Sequence, residues 1–212
     1  MTQIFAFGHS ITQGFWDTKG GWVQRLRSFL DQKSLDNPDE YYFEVYNLGV
    51  SGNDSKQVLE RFEPEIEARI SEDNDTVVFF QLGANDIQYF NEEYRLRTSK
   101  EEFENNIMDL ISKARKYADE IIFVGDPIIT IEGPIPWANE KELSDSRLKN
   151  YTDTLRKKCE KEEISFIDLR SDTNKDQWSE RLEDGCHPNN QGHKLIFEKV
   201  RDKMREEEII DF

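Results

Sequence analysis

The sequence predicts an α/β protein in three layers, a parallel sheet with helices on both faces. Five short apolar runs alternate with five helical patterns over the whole chain, and that alternation is the mark of parallel strands joined by crossover helices. No repeat, low-complexity linker or break in composition divides the 212 residues, so residues 1–212 are expected to form one domain with a substantial core.

The apolar runs are residues 3–7, 43–48, 76–82, 120–125 and 164–169. Between the first two, residues 21–31 place Trp22, Leu26, Phe29 and Leu30 on one helical face. Residues 54–70 open with Asp54 and Gln57 at capping-box spacing and carry Val58, Leu59, Phe62, Ile66 and Ile70. Pro64 is expected to kink that helix or to begin a new one. Ser99 and Glu102 open a third helix with the stripe Phe103, Ile107, Leu110, Ile111 and Ala114. A fourth helix is expected over about residues 145–162 with Leu148, Tyr151, Leu155 and Cys159 inward, and a fifth after Pro188 with Leu195, Ile196 and Val200. Two connections, residues 84–98 and 126–144, are longer than a simple link requires, as functional or mobile loops are.

Lys and Arg number 28 against 44 Asp and Glu, a net charge of −16 that disfavours nucleic acid or an anionic membrane as a resting partner. The small basic pairs Arg25 with Arg27 and Arg95 with Arg97 read as solvated surface. Met1-Thr2-Gln3 leads straight into the first strand, so no secretory leader is expected. No apolar stretch is long enough to span a bilayer, and stable membrane insertion is not expected. Cys159 and Cys186 are expected to be reduced thiols in a cytoplasmic protein.

Ligands of open α/β sheets bind beyond the carboxyl ends of the strands. There this chain places Gly8-His9-Ser10, then Asn47 to Asp54 with Gly49 and Gly52, then Gly83-Ala84-Asn85-Asp86. A fourth block, Asp184-Gly185-Cys186-His187-Pro188, leads into the last helix. A serine hydroxyl needs a base to take its proton, and the base needs a third group to hold its tautomer. Ser10 fits the nucleophile, His187 the base and Asp184 the orienter. The Ser10 and Gly52 backbone N–H groups and the Asn85 side-chain amide would serve as oxyanion donors.

These four blocks, in this order and over the full length, resemble the SGNH (GDSL-type) hydrolase family, whose motifs run Gly-Asp-Ser, Gly, Gly-x-Asn-Asp and Asp-x-x-His-Pro. Ser10, Gly52, Asn85 and His187 fall on the four residues that name the family, and Asp184 on its triad acid. The resemblance implies a flavodoxin-like fold with strand order 2-1-3-4-5. It implies hydrolysis of a small-molecule carboxylic ester or thioester, lysophospholipids and acetylated sugars included, with neither metal nor cofactor. Small members of this kind are acylhydrolases of lysophospholipase-like type. One residue departs: His9 stands where the family has Asp. Its side chain is expected to point away from Ser10 and at most to brace the loop. Restoring Asp there is expected to keep or raise activity. Two alternatives remain: a binding protein that has lost turnover through His9, and an acyl or acetyl transferase acting on sugars with the same residues.

Other nearby groups have plainer readings. His193 is expected on the surface or in packing, and a metal site from Asp184, His187 and His193 lacks a thiolate or second carboxylate at good spacing. Cys186 is expected to pack rather than react, and Asp86 to hydrogen-bond within its own loop. Trp137 is expected either to line the acyl pocket or to act as a hydrophobic plug.

Overall fold

All five apolar runs become strands of one sheet in the computed structural model, which describes residues 1–71 and 73–210. The chain opens with β1 (Thr2–Gly8), a single turn α1 (Ser10–Gln13) and α2 (Gly21–Asp36). Next come β2 (Phe43–Gly49), α3 (Ser55–Glu67) and β3 (Asp75–Gln81). Two short strands, β4 (Tyr89–Phe90) and β5 (Arg95–Leu96), precede α4 (Lys100–Ala114) and β6 (Glu120–Val124). The chain continues through β7 (Gly133–Ile135), β8 (Ala138–Leu143), α5 (Asp145–Lys161), β9 (Ser165–Ile167), α6 (Lys175–Ser179) and α7 (Asn190–Glu206).

The central sheet has the order β2-β1-β3-β6-β9 with every pair parallel, which is 2-1-3-4-5 counted within this sheet. Its three inner strands, β1, β3 and β6, are apolar on both faces because helices cover both. Phe79 and Phe80, adjacent in β3, are fully buried on opposite sides, each side chain contributing about 1.5–3 kcal/mol by leaving water. Phe5, Phe7, Val78, Phe80 and Phe123 pack against α3, α4 and α5, while Ile4, Ala6, Val77, Phe79 and Ile122 pack against α2 and α7. Gly8 lies opposite both Gly49 and Gln81, so the loops after β1, β2 and β3 leave the sheet at one level. That shared level is what brings three of the four blocks together.

Four sequence expectations need correction. The last strand spans only Ser165–Ile167, because β6 offers it just three partners. Pro64 begins no new helix: α3 runs through it to Glu67, held on the sheet by buried Val58, Phe62 and Ile66. The two long connections are not plain loops, since β4, β5, β7 and β8 pair as an antiparallel sheet ordered β5-β4-β8-β7. Arg25 and Arg97 are not solvated surface; Arg25 forms a two-pronged bond to buried Asp17, and Arg97 bonds Asp54 at 2.7 Å. No helix among the described residues is long and apolar enough to cross a membrane.

Candidate active site

Ser10 is the first residue of α1, set immediately past the end of β1. The turn is tight: a Cβ on Gly8 would lie 2.2 Å from Thr12 Oγ1 and 2.8 Å from the Gln81 carbonyl oxygen, so only glycine fits. Buried Gln81 supports the turn from beneath, its Oε1 accepting from Thr12 Oγ1 and Trp22 Nε1 at 3.0 Å each. Ser10 Oγ lies 3.0 Å from His187 Nε2, and His187 Nδ1 lies 2.8 Å from Asp184 Oδ2.

The Asp-x-x-His spacing has a physical cause. Asp184 Oδ1 accepts the backbone N–H groups of Cys186 and His187, at 3.0 and 2.8 Å, which curls the loop and returns the imidazole onto the same carboxylate. Burial opposes ionisation of Asp184, but the side-chain and backbone bonds from His187, its charge, and a bond from Trp16 outweigh it and hold the carboxyl at about 2. Asp184 is therefore an anion throughout the neutral range.

The candidate oxyanion donors lie on neighbouring loops. Gly52 has φ of +81° at the third position of a turn closed by Asn53 N–H donating to the Val50 carbonyl, a conformation that favours glycine. Asn85 Nδ2 gives one hydrogen to the Asn53 carbonyl at 2.9 Å and keeps its second, while its Oδ1 accepts from Gln88 Nε2. Arg61 ties the level together, donating to Asn53 Oδ1 at 2.7 Å and to the Gly8 carbonyl at 3.0 Å. Ser10, Gly52, Asn85, Asp184 and His187 all line one cleft of about 540 Å³. Among the described residues no group of three or more His, Cys, Asp or Glu is arranged to hold a metal ion.

Residues 4–200 match the family model described as GDSL-like lipase/acylhydrolase. The chain belongs to this family. As a member it is an acyl ester hydrolase. It is 28% identical to a GDSL esterase/lipase of Arabidopsis thaliana, At5g45920, over 98% of this chain and 87% of that protein. It is 26% identical to the uncharacterized protein YpmR of Bacillus subtilis, over 96% and 82% of the two. Among solved structures, Axe2, an acetylxylan esterase from Geobacillus stearothermophilus, has the same fold, with a TM-score of 0.71 at 20% identity covering 95% of this chain and 93% of that one.

His9, the departure from the family's Gly-Asp-Ser, is buried and does not touch the Ser10 hydroxyl. Its Nδ1 accepts the Ile11 N–H at 3.3 Å and caps α1, as the family's acid could. The ring proton therefore sits on Nε2, which donates to Asp126 Oδ1 at 3.1 Å; Asp126 Oδ2 accepts the Ala84 N–H beside Asn85. This pairing reverses the expectation for His9→Asp. An aspartate there would set two carboxylates together in a fully buried site. His9→Asp is expected to destabilise the fold by about 3–5 kcal/mol in urea titrations, and adding Asp126→Asn should recover much of the loss. Wild-type stability of the single variant would contradict the pairing.

Several groups at the site have no signal in the sequence. Trp16 holds a left-handed backbone (φ +68°) and donates its indole N–H to Asp184 Oδ2 at 2.8 Å, a second donor on the oxygen that holds His187. Asp17 fixes this segment by accepting from Gly21 N–H and Arg25, and buried His193 donates from Nε2 to the Phe15 carbonyl at 3.0 Å. His193 thus serves packing rather than surface, and burial lowers its pKa. Trp16→Phe is expected to reduce kcat about tenfold with little change in KM, the worth of one hydrogen bond to a charged group. An unchanged kcat would show that His187 alone suffices to hold Asp184.

The remaining expectations divide. Cys186 is buried and burial pushes its thiol far up, so it holds no thiolate at neutral pH. Asp86 reaches beyond its own loop: it accepts the Ser55 N–H and hydroxyl at the start of α3, and burial pushes its carboxyl up to about 6. Trp137 is 54% exposed and lines the cleft with its ring centroid 5.8 Å from that of His187, opposite in role to a buried plug.

Proposed function

We propose that this chain cleaves a small carboxylic ester or thioester through an acyl-serine intermediate. The observation that carries the proposal is the continuous chain Ser10 Oγ, His187 and Asp184 at 3.0 and 2.8 Å, opening on a cleft with apolar and aromatic walls. Ser10 Oγ attacks the acyl carbon as its proton passes to His187 Nε2, and ionised Asp184 balances the imidazolium. Negative charge gathering on the carbonyl oxygen meets the Ser10 and Gly52 N–H groups and the second Asn85 Nδ2 hydrogen. Collapse expels the alcohol or thiol, which takes the proton from His187. Water then attacks the acyl-serine, giving its proton to His187, and the second collapse returns that proton to Ser10. No step calls on a metal or cofactor.

The His9 arrangement favours turnover over a binding protein without activity, since His9 caps α1 and leaves the Ser10 hydroxyl to His187. Transfer to a sugar hydroxyl would use the same groups with an alcohol in place of water. In keeping with the charge and thiol content, the protein is proposed to work as a single domain in the cytoplasm, without nucleic acid or membrane insertion. Hydrolysis of short p-nitrophenyl esters by purified protein, abolished in Ser10→Ala, tests the proposal; wild type without turnover would favour the binding protein. Supplying acceptor alcohols and finding new esters would favour the transferase.

A further inference from the structure

The small antiparallel sheet places cations on one face. Directly opposed residues share a face and neighbours along a strand alternate. Phe90 pairs with both Arg95 and Lys141, and one step along, Arg97 N–H donates to the Gln88 carbonyl at 2.8 Å. Gln88, Phe90, Arg95, Arg97, Lys141 and Leu143 therefore lie on the same side, and four of them, Gln88, Arg97, Lys141 and Leu143, line the cleft that holds Ser10. Tyr89 and Glu142 fall on the opposite side.

The three cations differ in how they are neutralised. Arg97 bonds Asp54 at 2.7 Å and Gln57 Oε1 at 2.9 Å, and Arg95 bonds Glu93 at 2.6 Å. Lys141 has no carboxylate within ion-pair distance among the described residues; its ammonium lies over the Phe90 ring, 5.6 Å from the centroid, with the Arg95 guanidinium also on that ring at 5.2 Å. In a chain with 44 acidic residues, a half-buried lysine facing the reaction cleft has been left without a carboxylate. The acid that lines the same cleft, Asp184, is committed to His187 and Trp16. With a net charge of −16 the molecule as a whole repels anions, so an anionic substrate would need a local cation at the site.

We propose that Lys141 binds an anionic group, a carboxylate or phosphate, carried by the ester that Ser10 cleaves; this rests on the acyl-serine reading above. The ammonium is a point charge on a flexible stem, suited to an anion whose position varies with chain length. The anion can sit on the acyl part or on the alcohol, and the two sources are separable by experiment.

The test compares kcat/KM for matched esters. Mono-p-nitrophenyl succinate against p-nitrophenyl butyrate puts the charge on the acyl side. Acetylated glycerol 3-phosphate against monoacetylglycerol puts it on the alcohol. Wild type is expected to favour one anionic member over its neutral partner by about tenfold or more, chiefly through KM. That ratio should fall to about one in Lys141→Met, invert in Lys141→Glu and survive in Lys141→Arg. No anionic preference in either pair, or a preference unchanged in Lys141→Met, overturns the proposal while leaving ester hydrolysis at Ser10 standing. Calorimetry on Ser10→Ala gives an answer independent of turnover. The favoured anionic ester should bind it and should bind Ser10→Ala/Lys141→Met at least about tenfold more weakly; equal binding to the two would overturn the proposal even if wild type turned over no ester.

Discussion

His187→Ala is expected to lower kcat by about 10⁴–10⁶-fold, the scale on which removing one member of a cooperating triad removes the action of all. Of the three histidines in the chain, His187 is the one whose ring nitrogen lies within hydrogen-bond distance of the Ser10 hydroxyl. His9 adjoins Ser10 in sequence, but its nitrogens are committed to Ile11 N–H and Asp126. His193 is sealed in the core on the Phe15 carbonyl. Asp184, ionised at about 2, favours the imidazolium that forms on proton transfer. Steady-state kinetics on a soluble ester, with folding checked by thermal melting, measures the effect. Activity within tenfold of wild type would require another base, and the site would have to be redrawn around His9.

Asn85→Ala is expected to cost about 10²–10³-fold in kcat with little change in KM, because a preorganised donor is worth most where charge develops. The same amide holds the Asn53 carbonyl, adjacent to Gly52, so the variant would loosen the second proposed donor together with the first. Both losses act on the transition state and point in the same direction. An unchanged kcat, or a loss confined to KM, would take Asn85 out of the oxyanion hole.

The fold was legible because its signals are local and repeated. Apolar runs flanked by turn residues, and stripes such as Phe103, Ile107 and Leu110, carry their periodicity in a few adjacent residues. The five candidate site residues could be picked out, and are found on one cleft, for a related reason: each sits in a short block with a fixed structural duty, such as the curl that Asp184 imposes on His187. What stayed hidden depends on distant pairing. β4 and β5 have two residues each, and the sequence of β8, Ala-Asn-Glu-Lys-Glu-Leu, has no alternating apolar pattern, so nothing near it announces its pairing with Phe90. Trp16 donates to Asp184 across 168 positions and His9 to Asp126 across 117. The partner that argues against Asp at position 9 was hidden for the same reason: Asp126 lies just past the end of another strand.

The central claim is that Ser10 is the nucleophile, and covalent labelling tests it most directly. Purified protein would be treated with an organophosphonate serine probe, digested, and mapped by peptide mass spectrometry. A single adduct on Ser10, lost in Ser10→Ala and slowed in His187→Ala, is the predicted result. An adduct on Cys186 or another serine, or labelling that persists in Ser10→Ala, would contradict the claim.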